Sequence, residues 1–440
     1  MIEASIGELC EIVKGETGIM KAIPGQYPLV VTGADRKSSS TFQFDDEAVC
    51  IPLVSSTGHG HKSLNYVHYQ SGKFALGTIL AAVIPKDKSV LSAEYLQRYL
   101  QFNKDRVLVP LMTGAANVTL SMKNIAKVSV PIPSIEKQHK YIDLINRIEK
   151  QQLNLNTEFN TQSSYLTQLR QAILQEAIEG KLTADWRKEN PVRKGDSDYD
   201  AEALLDKIKA EKDKLVKEGK IKKQKPLAPI RPEEVPFELP EGWVWLIGEQ
   251  LGEYIDPQPS HRTPSEVNSG IPYVSMKDID SNGMINFHLA RKVSEAILDE
   301  HKRRYTLNAG DFVVGKIGTI GNPVWTKLPQ NYTLSANLVL VQPYQKIVLS
   351  KYMFWVLASP YCETHMTEVK SEMSYPVFGI KKMRQMPFPL PPFTEQKTIV
   401  DRVENILSKV DELENQVTER KEQSEQLMQA VLREAFEGNK

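Results

Sequence analysis

The chain has 440 residues, with 55 basic and 55 acidic side chains and a net charge of zero. This length is too great for one hydrophobic core, so two or three domains are expected. The balanced charge removes the simplest composition argument for a nucleic-acid-binding protein. Three widely separated cysteines indicate neither a disulfide framework nor a zinc site. The sequence has no secretion signal and no run of about 18 apolar residues, so we expect a cytoplasmic protein.

Short β-rich runs separated by turn clusters occupy residues 1–132. Strands are predicted at 27–31, 48–54, 73–84 and 126–132. Ser92 is a suitable N-cap for a helix that continues to Phe102. Proline in the final extended stretch, 130–133, stops the strand and leads out of the domain. The sequence therefore predicts a first α/β domain at 1–132.

A long helical pattern follows at 133–187. Apolar residues alternate at spacings of three and four, which predicts a coiled-coil seam. The seam members on this helix are Ile148, Leu155, Phe159 and Leu169. Gly180 occupies the position where a left-handed glycine ends a helix.

A charged, proline-rich linker is predicted at 188–240, with a short helix within 199–218. Its lysine-rich stretch fits a solvated segment or a contact with DNA phosphate or a partner, and both interpretations stay open. A second domain at 241–389 repeats the first in outline. Strands at 271–274, 311–316 and 338–342 precede a helix at 350–358.

The final part of the chain, 390–440, repeats the first long helix. Residues 132–181 align with residues 390–439 at a constant offset of 258 and without a gap. The second seam keeps the same register and contains Ile406, Leu413, Val417 and Leu427. We therefore predict an α+β protein made of two copies of one plan, a domain followed by a long helix, with the two helices packed antiparallel.

A search for catalytic motifs finds none that is complete. No P-loop is present, and the glycine-rich stretch 315–321 lacks the spacing of a nucleotide site. This stretch fits a plain β-turn or a turn that offers backbone N–H groups and Lys316 to a DNA phosphate. The histidines near residue 60 have no carboxylate or cysteine at ligand spacing, so no metal is predicted. The polar loop 55–62 suits hydrogen bonding to DNA.

Several motifs together resemble the specificity subunit of type I restriction–modification systems, the HsdS family. They are the proline exits, the glutamines Gln138 and Gln396 just inside each long helix, and the stretches 169–174 (LRQAIL) and 180–187 (GKLTADWR). The lead-in 239–243 (LPEGW) also resembles the family. The likeness covers nearly the whole chain, although the two domains match only in outline.

The resemblance implies a non-catalytic subunit that needs no cofactor and has no membrane association. Its two target recognition domains would each read half of a split sequence in double-stranded DNA. Its helices would form a pseudo-two-fold-symmetric spacer that docks two methyltransferase subunits. Restriction (translocase/nuclease) subunits would complete a type I restriction endonuclease and adenine-specific DNA methyltransferase. The first domain lacks the LPEGW lead-in, so its first strand is expected to be short or differently built.

Two alternatives stay open, a modification-only or orphan specificity protein and a coiled-coil scaffold without a DNA role. Polar and basic residues in the loops are the candidates for DNA contact. In the first domain they are Arg36, Lys37, His59, His61, Lys62, Thr113 and Asn117. In the second domain they are Arg262, Lys277, Lys316, Thr319, Lys370, Ser374 and Tyr375.

Overall fold

The computed structural model describes residues 2–57, 60–219, 230–231, 234–260, 262–280, 282–317, 320–367 and 378–437. The chain divides into two compact units. The first combines Met1–Thr161 with Val417–Lys440, and the second is Gln162–Gln416. Each unit contains one domain and parts of both long helices.

The first domain consists of short strands and three helices. In chain order they are β1 (Ile2–Ser5), α1 (Ile6–Leu9), β2 (Cys10–Lys14), β3 (Tyr27–Val30), β4 (Lys37–Ser39), β5 (Phe44–Asp45), β6 (Ala48–Pro52), β7 (His68–Gln70), β8 (Lys73–Leu76), β9 (Leu80–Pro85), α2 (Ala93–Val107), α3 (Met122–Ala126) and β10 (Ser129–Ile132). The sheets have the orders β2-β9-β6-β7, β4-β3-β8-β5 and β1-β10.

The remaining elements are two long helices, a linker and the second domain. They are α4 (Ile135–Ile178), α5 (Ala184–Glu189), α6 (Ala201–Lys217), β11 (Val244–Ile247), α7 (Gly248–Leu251), β12 (Gly252–Ile255), β13 (Ile271–Val274), β14 (Arg291–Val293), α8 (Glu295–Lys302), β15 (Phe312–Gly315), β16 (Gly321–Trp325), β17 (Thr333–Leu334), β18 (Leu338–Pro343), α9 (Ser350–Leu357), α10 (Pro360–Thr367), α11 (Ile380–Gln385), β19 (Pro387–Leu390) and α12 (Phe393–Glu437).

The second domain has the topology of the first, except that no strand among its described residues corresponds to β5. Its sheets have the orders β12-β18-β15-β16, β14-β13-β17 and β11-β19. The registers also correspond, because Cys10 opposite Pro85 is matched by Gly252 opposite Pro343. In both domains the third strand pairs in parallel with a later strand, β3 with β8 and β13 with β17. The relationship that the sequence indicated in outline is therefore a shared fold.

The first strand of the first domain corrects one expectation. It was expected to be short or differently built, yet β1 has four residues, as β11 does. It pairs with β10 in the register in which β11 pairs with β19, and Ser5 lies opposite Ser129 as Ile247 lies opposite Pro387. The LPEGW lead-in is therefore not needed to form this strand.

Several local predictions agree with the structure and two are wrong in detail. Ser92 caps α2, accepting a bond from the backbone N–H of Tyr95. Gly180 ends α4 with a left-handed φ of 72°. The predicted strand at 73–84 is two strands, because a turn at 77–79 separates β8 from β9. The predicted strand at 126–132 begins as the end of helix α3.

A fully buried glutamine joins each long helix to the domain that precedes it. In the first copy Gln138 Nε2 donates to the carbonyls of Val90 (2.8 Å) and Pro133 (2.9 Å), and its Oε1 accepts from Ser92 N–H (2.8 Å). Since both ends of the amide bond backbone groups of the domain, the helix start is fixed in direction.

The second copy repeats this arrangement. Gln396 Nε2 donates to the carbonyls of Ile347 (3.4 Å) and Pro391 (3.1 Å), and its Oε1 accepts from Leu349 N–H (2.9 Å). We name Gln138 and Gln396 the helix-start glutamines. Their equivalence explains why this residue is identical in the two repeats.

A second buried polar cluster accounts for the stretch GKLTADWR. The carboxylate of Glu395, near the start of α12, accepts hydrogen bonds from Thr183 Oγ1 (2.6 Å), Trp243 Nε1 (2.8 Å) and the Arg187 guanidinium. Asp185 forms a two-pronged ion pair with Arg402 of α12. The stretch therefore ties the end of α4 to the start of α12, where Glu395 also holds Trp243, the residue before β11.

In each unit the long helices run antiparallel. In the first unit Ser424 Oγ of α12 donates to Gln152 Oε1 of α4 (3.0 Å), and the later residue Phe436 stacks on Phe102 of α2, beside the start of α4. In the second unit Arg170 of α4 pairs with Asp411 and Glu414 of α12. The later α4 residues Ile173 and Ile178 share a core with the earlier part of α12.

The predicted seam is half correct. One set of positions, which includes Phe159 and Val417, faces the partner helix and is buried or half-buried. The other predicted set is one residue out of register, because Leu155, Leu169, Leu413 and Leu427 are exposed. Ile148 and Ile406 are half-buried at its edge.

Mostly polar residues take the places expected for those leucines. The half-buried positions are Asn156 and Arg170 on α4 and Glu414 on α12, and the fourth, Met428 on α12, is apolar. The ion pair of Arg170 with Glu414 (3.0 Å) explains how charged side chains tolerate this position. An apolar pattern cannot reveal a seam row that is polar.

Removing a helix-start glutamine should destabilise the protein. Gln396→Ala leaves two carbonyls and one N–H buried without partners, which should cost about 2–4 kcal/mol. The thermal unfolding temperature should fall by several degrees, measured by calorimetry. Gln416→Ala on the same helix is the control, because Gln416 is exposed. Equal behaviour of the two variants would contradict the role of Gln396.

The corrected register makes a paired prediction on α12. Val410→Asp buries a charge and should cost more than about 3 kcal/mol. Leu413→Asp should cost less than about 1 kcal/mol, because Leu413 is 45% exposed. Chemical denaturation of both variants measures the difference. Greater damage from Leu413→Asp would restore the seam predicted from the sequence.

Candidate DNA interface

Five loops of the first domain meet at one edge of its sheets. They follow β2, β3 and β6, join β8 to β9, and precede α3. Backbone bonds hold them together. Thr17 N–H donates to Leu76 O (3.0 Å), Gly77 N–H to Val30 O (3.0 Å), and Leu53 N–H to Ile79 O (2.8 Å). Leu120 N–H donates to Leu53 O (2.9 Å). We name this region the loop edge.

The second domain builds an equivalent loop edge with corresponding bonds. Ser335 N–H donates to Val274 O (2.8 Å), and Lys316 N–H donates to Asn337 O (2.9 Å). Phe378 N–H donates to Lys316 O (2.9 Å). The backbone frame is therefore duplicated, whereas the loops that it carries differ in length and sequence.

The candidate residues that the structure describes lie on or beside these loop edges. In the first domain His61, Lys62, Thr113 and Asn117 are exposed on two adjacent loops, which a bridge between Val54 and Thr119 joins. Lys37 is exposed at the start of β4. In the second domain Arg262 and Lys277 are exposed. The candidates that lie outside the described residues are His59, Thr319, Lys370, Ser374 and Tyr375.

The polar loop after β6 uses much of its hydrogen-bonding capacity internally. Thr57 Oγ1 and Ser63 Oγ lie 2.7 Å apart, and Ser55 Oγ donates to His61 O (2.5 Å). Ser56 Oγ accepts from Asn65 N–H (2.9 Å). These hydroxyl groups shape the loop and leave the exposed Lys62 for contact with a ligand.

Arg36 is folded back onto the domain. Its guanidinium donates to Gln70 Oε1 (3.0 Å), Tyr69 O (3.1 Å) and His68 Nδ1 (3.1 Å). Burial, and next the charge of Arg36, lower the pKa of His68 to about 4. The contact of Arg36 with DNA stays a prediction, although most of its five N–H groups are already used inside the domain.

Lys316 is the clearest correction. It is only 4% exposed, and its Nζ lies 2.7 Å from the Asp256 carboxylate. Its charge is therefore neutralised inside the domain, at the base of the glycine-rich stretch. The sequence suggested a lysine free to meet a phosphate, because the partner Asp256 lies 60 residues earlier in the chain.

A cavity of about 420 Å³ opens at the second loop edge. Loops after β12, β13 and β15 and the turn before β18 contribute to its wall, which includes Tyr273, Lys277, Arg291 and Asn337. Arg291 Nη1 donates to Pro264 O (3.2 Å) and so orders the first of these loops. Two cations beside amide and hydroxyl groups suit a phosphate or a base edge.

Arg291 was missed by the sequence analysis. It lies opposite Tyr273 in its strand pair, and Lys37 lies opposite Leu29 in the corresponding pair of the first domain. Arg291 and Lys37 thus occupy equivalent places on the shared fold. An alignment of the two domains by their strands would have paired Arg291 with Lys37. The sequence does not give this alignment, because the loops that precede the two residues differ in length.

The remaining chemistry of the described residues is sparse. No group of three or more His, Cys, Asp or Glu side chains in these parts of the chain could hold a metal ion. Among the helices that the structure describes, none combines the length and apolarity needed to cross a membrane.

The chain thus consists of two domains of one fold, each with a loop edge and each followed by a long helix. This is the class of protein in which two related domains present two different binding surfaces. The sequence profile of the type I restriction modification DNA specificity domain matches residues 3–162 and 258–423. The chain therefore belongs to this family.

Individual relatives agree with this. The chain is 31% identical over 277 residues to the specificity subunit of the type I restriction enzyme EcoAI from Escherichia coli, covering 61% of the chain and 44% of that subunit. It is 23% identical to the EcoDI specificity subunit from the same species, covering 98% and 87%. The matches to the EcoAI and EcoEI subunits span less than half of their length.

Two solved structures share the fold. A chain from a study of complex assembly and conformational transition of the type I R-M system has a TM-score of 0.59 at 14% identity, covering 100% of this chain and 98% of that one. The HsdS subunit from Thermoanaerobacter tengcongensis has a TM-score of 0.52 at 14% identity, covering 100% and 97%.

The Lys316–Asp256 pair predicts a pattern of stabilities. Lys316→Met leaves a carboxylate without its partner and should cost about 2–3 kcal/mol, at the lower end for a buried pair because Asp256 reaches water. A double variant that adds Asp256→Leu should recover most of this loss. Thermal unfolding measures the series, with the exposed Lys277→Met as control. No recovery in the double variant would show that the pair is not the cause.

Proposed function

We propose that the chain is the DNA sequence-specificity subunit of a type I restriction–modification complex. Its two recognition domains would each read half of a split target in double-stranded DNA. The observation that carries this proposal is the duplication of the loop edge on one fold, with different exposed side chains in each copy. Family membership supports the DNA role.

The proposed domains follow the predicted boundaries. Residues 1–132 and 241–389 are the two recognition domains, 133–187 and 390–440 are the repeated helices, and 188–240 is the linker. We propose that the helices act as a spacer and that the domains are related by a pseudo-two-fold axis. The equivalent helix-start glutamines support this arrangement, because they give both domains the same attachment to their helix.

We propose that the repeated helices also dock two methyltransferase subunits. Exposed leucines support this, because Leu155 and Leu413 are equivalent by the 258 offset, as are Leu169 and Leu427. Successive leucines are 14 residues apart, close to four helical turns, so each helix carries its pair on nearly one face. Duplicated exposed apolar positions suit two copies of one partner.

Restriction subunits would join the same complex, and the chain itself would be non-catalytic. These partners are supported by the protein of the same fold that was solved in a study of the assembly of the type I R-M system. A modification-only specificity protein is the second candidate, since both proteins would read DNA identically. Reconstitution with and without a restriction subunit separates the two.

The direct test is selection of bound duplexes from a random pool by the chain co-purified with its subunits. We expect a split motif with a fixed gap. Replacing residues 1–132 by another family member's first domain should change one half of the motif only. Selection of no motif would overturn the DNA role and favour a scaffold.

Salt dependence tests the loop edges. Lys62→Ala and Lys277→Ala should each lower the slope of log affinity against log salt by about one, if each lysine neutralises one phosphate. Lys409→Ala, on an exposed position of α12, should leave the slope unchanged. Fluorescence anisotropy over a range of salt concentrations gives the slopes. Equal slopes for all three variants would remove these lysines from the interface.

A further inference from the structure

The loop that follows β2, residues 15–26, exposes two large apolar side chains. Met20 is 92% exposed and Ile23 is 70% exposed. Single exposed apolar residues are common on proteins, but two at one loop tip form a small patch that suits an interaction. The lysine between them, Lys21, is exposed as well.

This exposure is not a consequence of a loose loop. Thr17 is bonded to the strand turn in both directions, because its N–H donates to Leu76 O (3.0 Å) and its carbonyl accepts from Thr78 N–H (3.1 Å). Lys21 N–H closes a turn onto Gly18 O (2.9 Å), and Ser40 N–H donates to Ile23 O (2.8 Å). The backbone on both sides of Met20 is therefore fixed.

The loop also has its own apolar anchor. Ile19 and Ala22 pack against the buried residues Leu29, Val31 and Ala75. Gly77 leaves room for this packing, because a Cβ there would lie 2.9 Å from Ile19 Cδ1. Residues 19 and 22 are thus used for packing, whereas residues 20 and 23 are presented outward on the same rigid turn.

The position of the turn favours one kind of partner. It belongs to the loop edge, where the exposed Lys62 and Asn117 also lie. An apolar tip beside a lysine suits a partner that combines a negatively charged backbone with stacked apolar faces, as duplex DNA does.

We propose that this loop is a wedge that inserts Met20 at a base step of the half-site read by the first domain, with Ile23 packed against the exposed base or sugar. The proposal rests on the proposed DNA role. Apolar side chains that enter a base step unstack it and bend the duplex, and steps that unstack easily are then preferred. The wedge would select sequence without hydrogen bonds to bases.

The second domain offers a contrast at the same place. The equivalent loop, between β12 and β13, exposes Arg262 and Thr263, and its described residues include no large exposed apolar side chain. The two loop edges would therefore read their half-sites by different physical means, deformation of the duplex in the first and polar contact in the second.

The test uses the full chain co-purified with its subunits, and a duplex selected from a random pool by the wild-type protein. The reporter 2-aminopurine replaces one base of the first half-site at a time. Wild type should raise its fluorescence at one step, whereas Met20→Ala/Ile23→Ala should not and should bind about tenfold more weakly. A mismatch at that step should restore the affinity of the variant, because the step is already unstacked.

The control is Val90→Ala, another exposed apolar residue, which follows the opposite end of β9 from the loop edge and should behave as wild type. Equal fluorescence and affinity for wild type and the double variant would overturn the wedge while the DNA role stands. Loss of a subunit or a changed oligomeric state with unchanged DNA binding would also overturn it, in favour of protein docking. Failure of the wild type to select any duplex would instead overturn the proposed function.

Discussion

A fully buried amide lies where each long helix leaves its domain. In the first copy the helix-start glutamine bonds two backbone carbonyls and one backbone N–H at this bend. A proline-containing strand leaves the domain just before it, so the ladder cannot supply those bonds. These bonds fix the direction in which the helix leaves the domain. The antiparallel contacts farther along the helix depend on this direction. Two copies of the amide give two copies of the same direction.

The duplicated domains separate what must stay constant from what can vary. Backbone hydrogen bonds, such as Leu53 to Ile79 and Lys316 to Asn337, form the loop edges. Because backbone groups are the same in every residue except proline, these bonds survive changes of side chain. The exposed residues on the loops carry little of the stability. One half of such a protein can therefore acquire new side chains while its frame is preserved.

The sequence reveals those features whose causes are local or periodic. The cap at Ser92, the left-handed Gly180 and the repeat that places α12 in register with α4 all belong to this group. Prediction from the sequence fails where a residue's environment is set by a partner that is distant in the chain. Lys316 is neutralised by Asp256, and one seam row holds Arg170 and Glu414, whose mutual attraction replaces apolar contact. The exposure of Met20 was not predicted, because an apolar residue is expected to be buried. Only the hydrogen bonds of the surrounding backbone reveal its position.

The composition of the two units sets an order of events during synthesis. Gln162–Gln416 is one continuous stretch and contains all the segments of its own core. The first unit needs Val417–Lys440 as well, since Phe436 packs against Tyr99 and Phe102 of α2. Tyr99 and Phe102 are synthesised early, and their aromatic surface stays uncovered until Phe436 is added more than half a chain length later. The earlier domain therefore completes its packing last, after its exposed aromatic surface has been open to non-native contacts throughout synthesis.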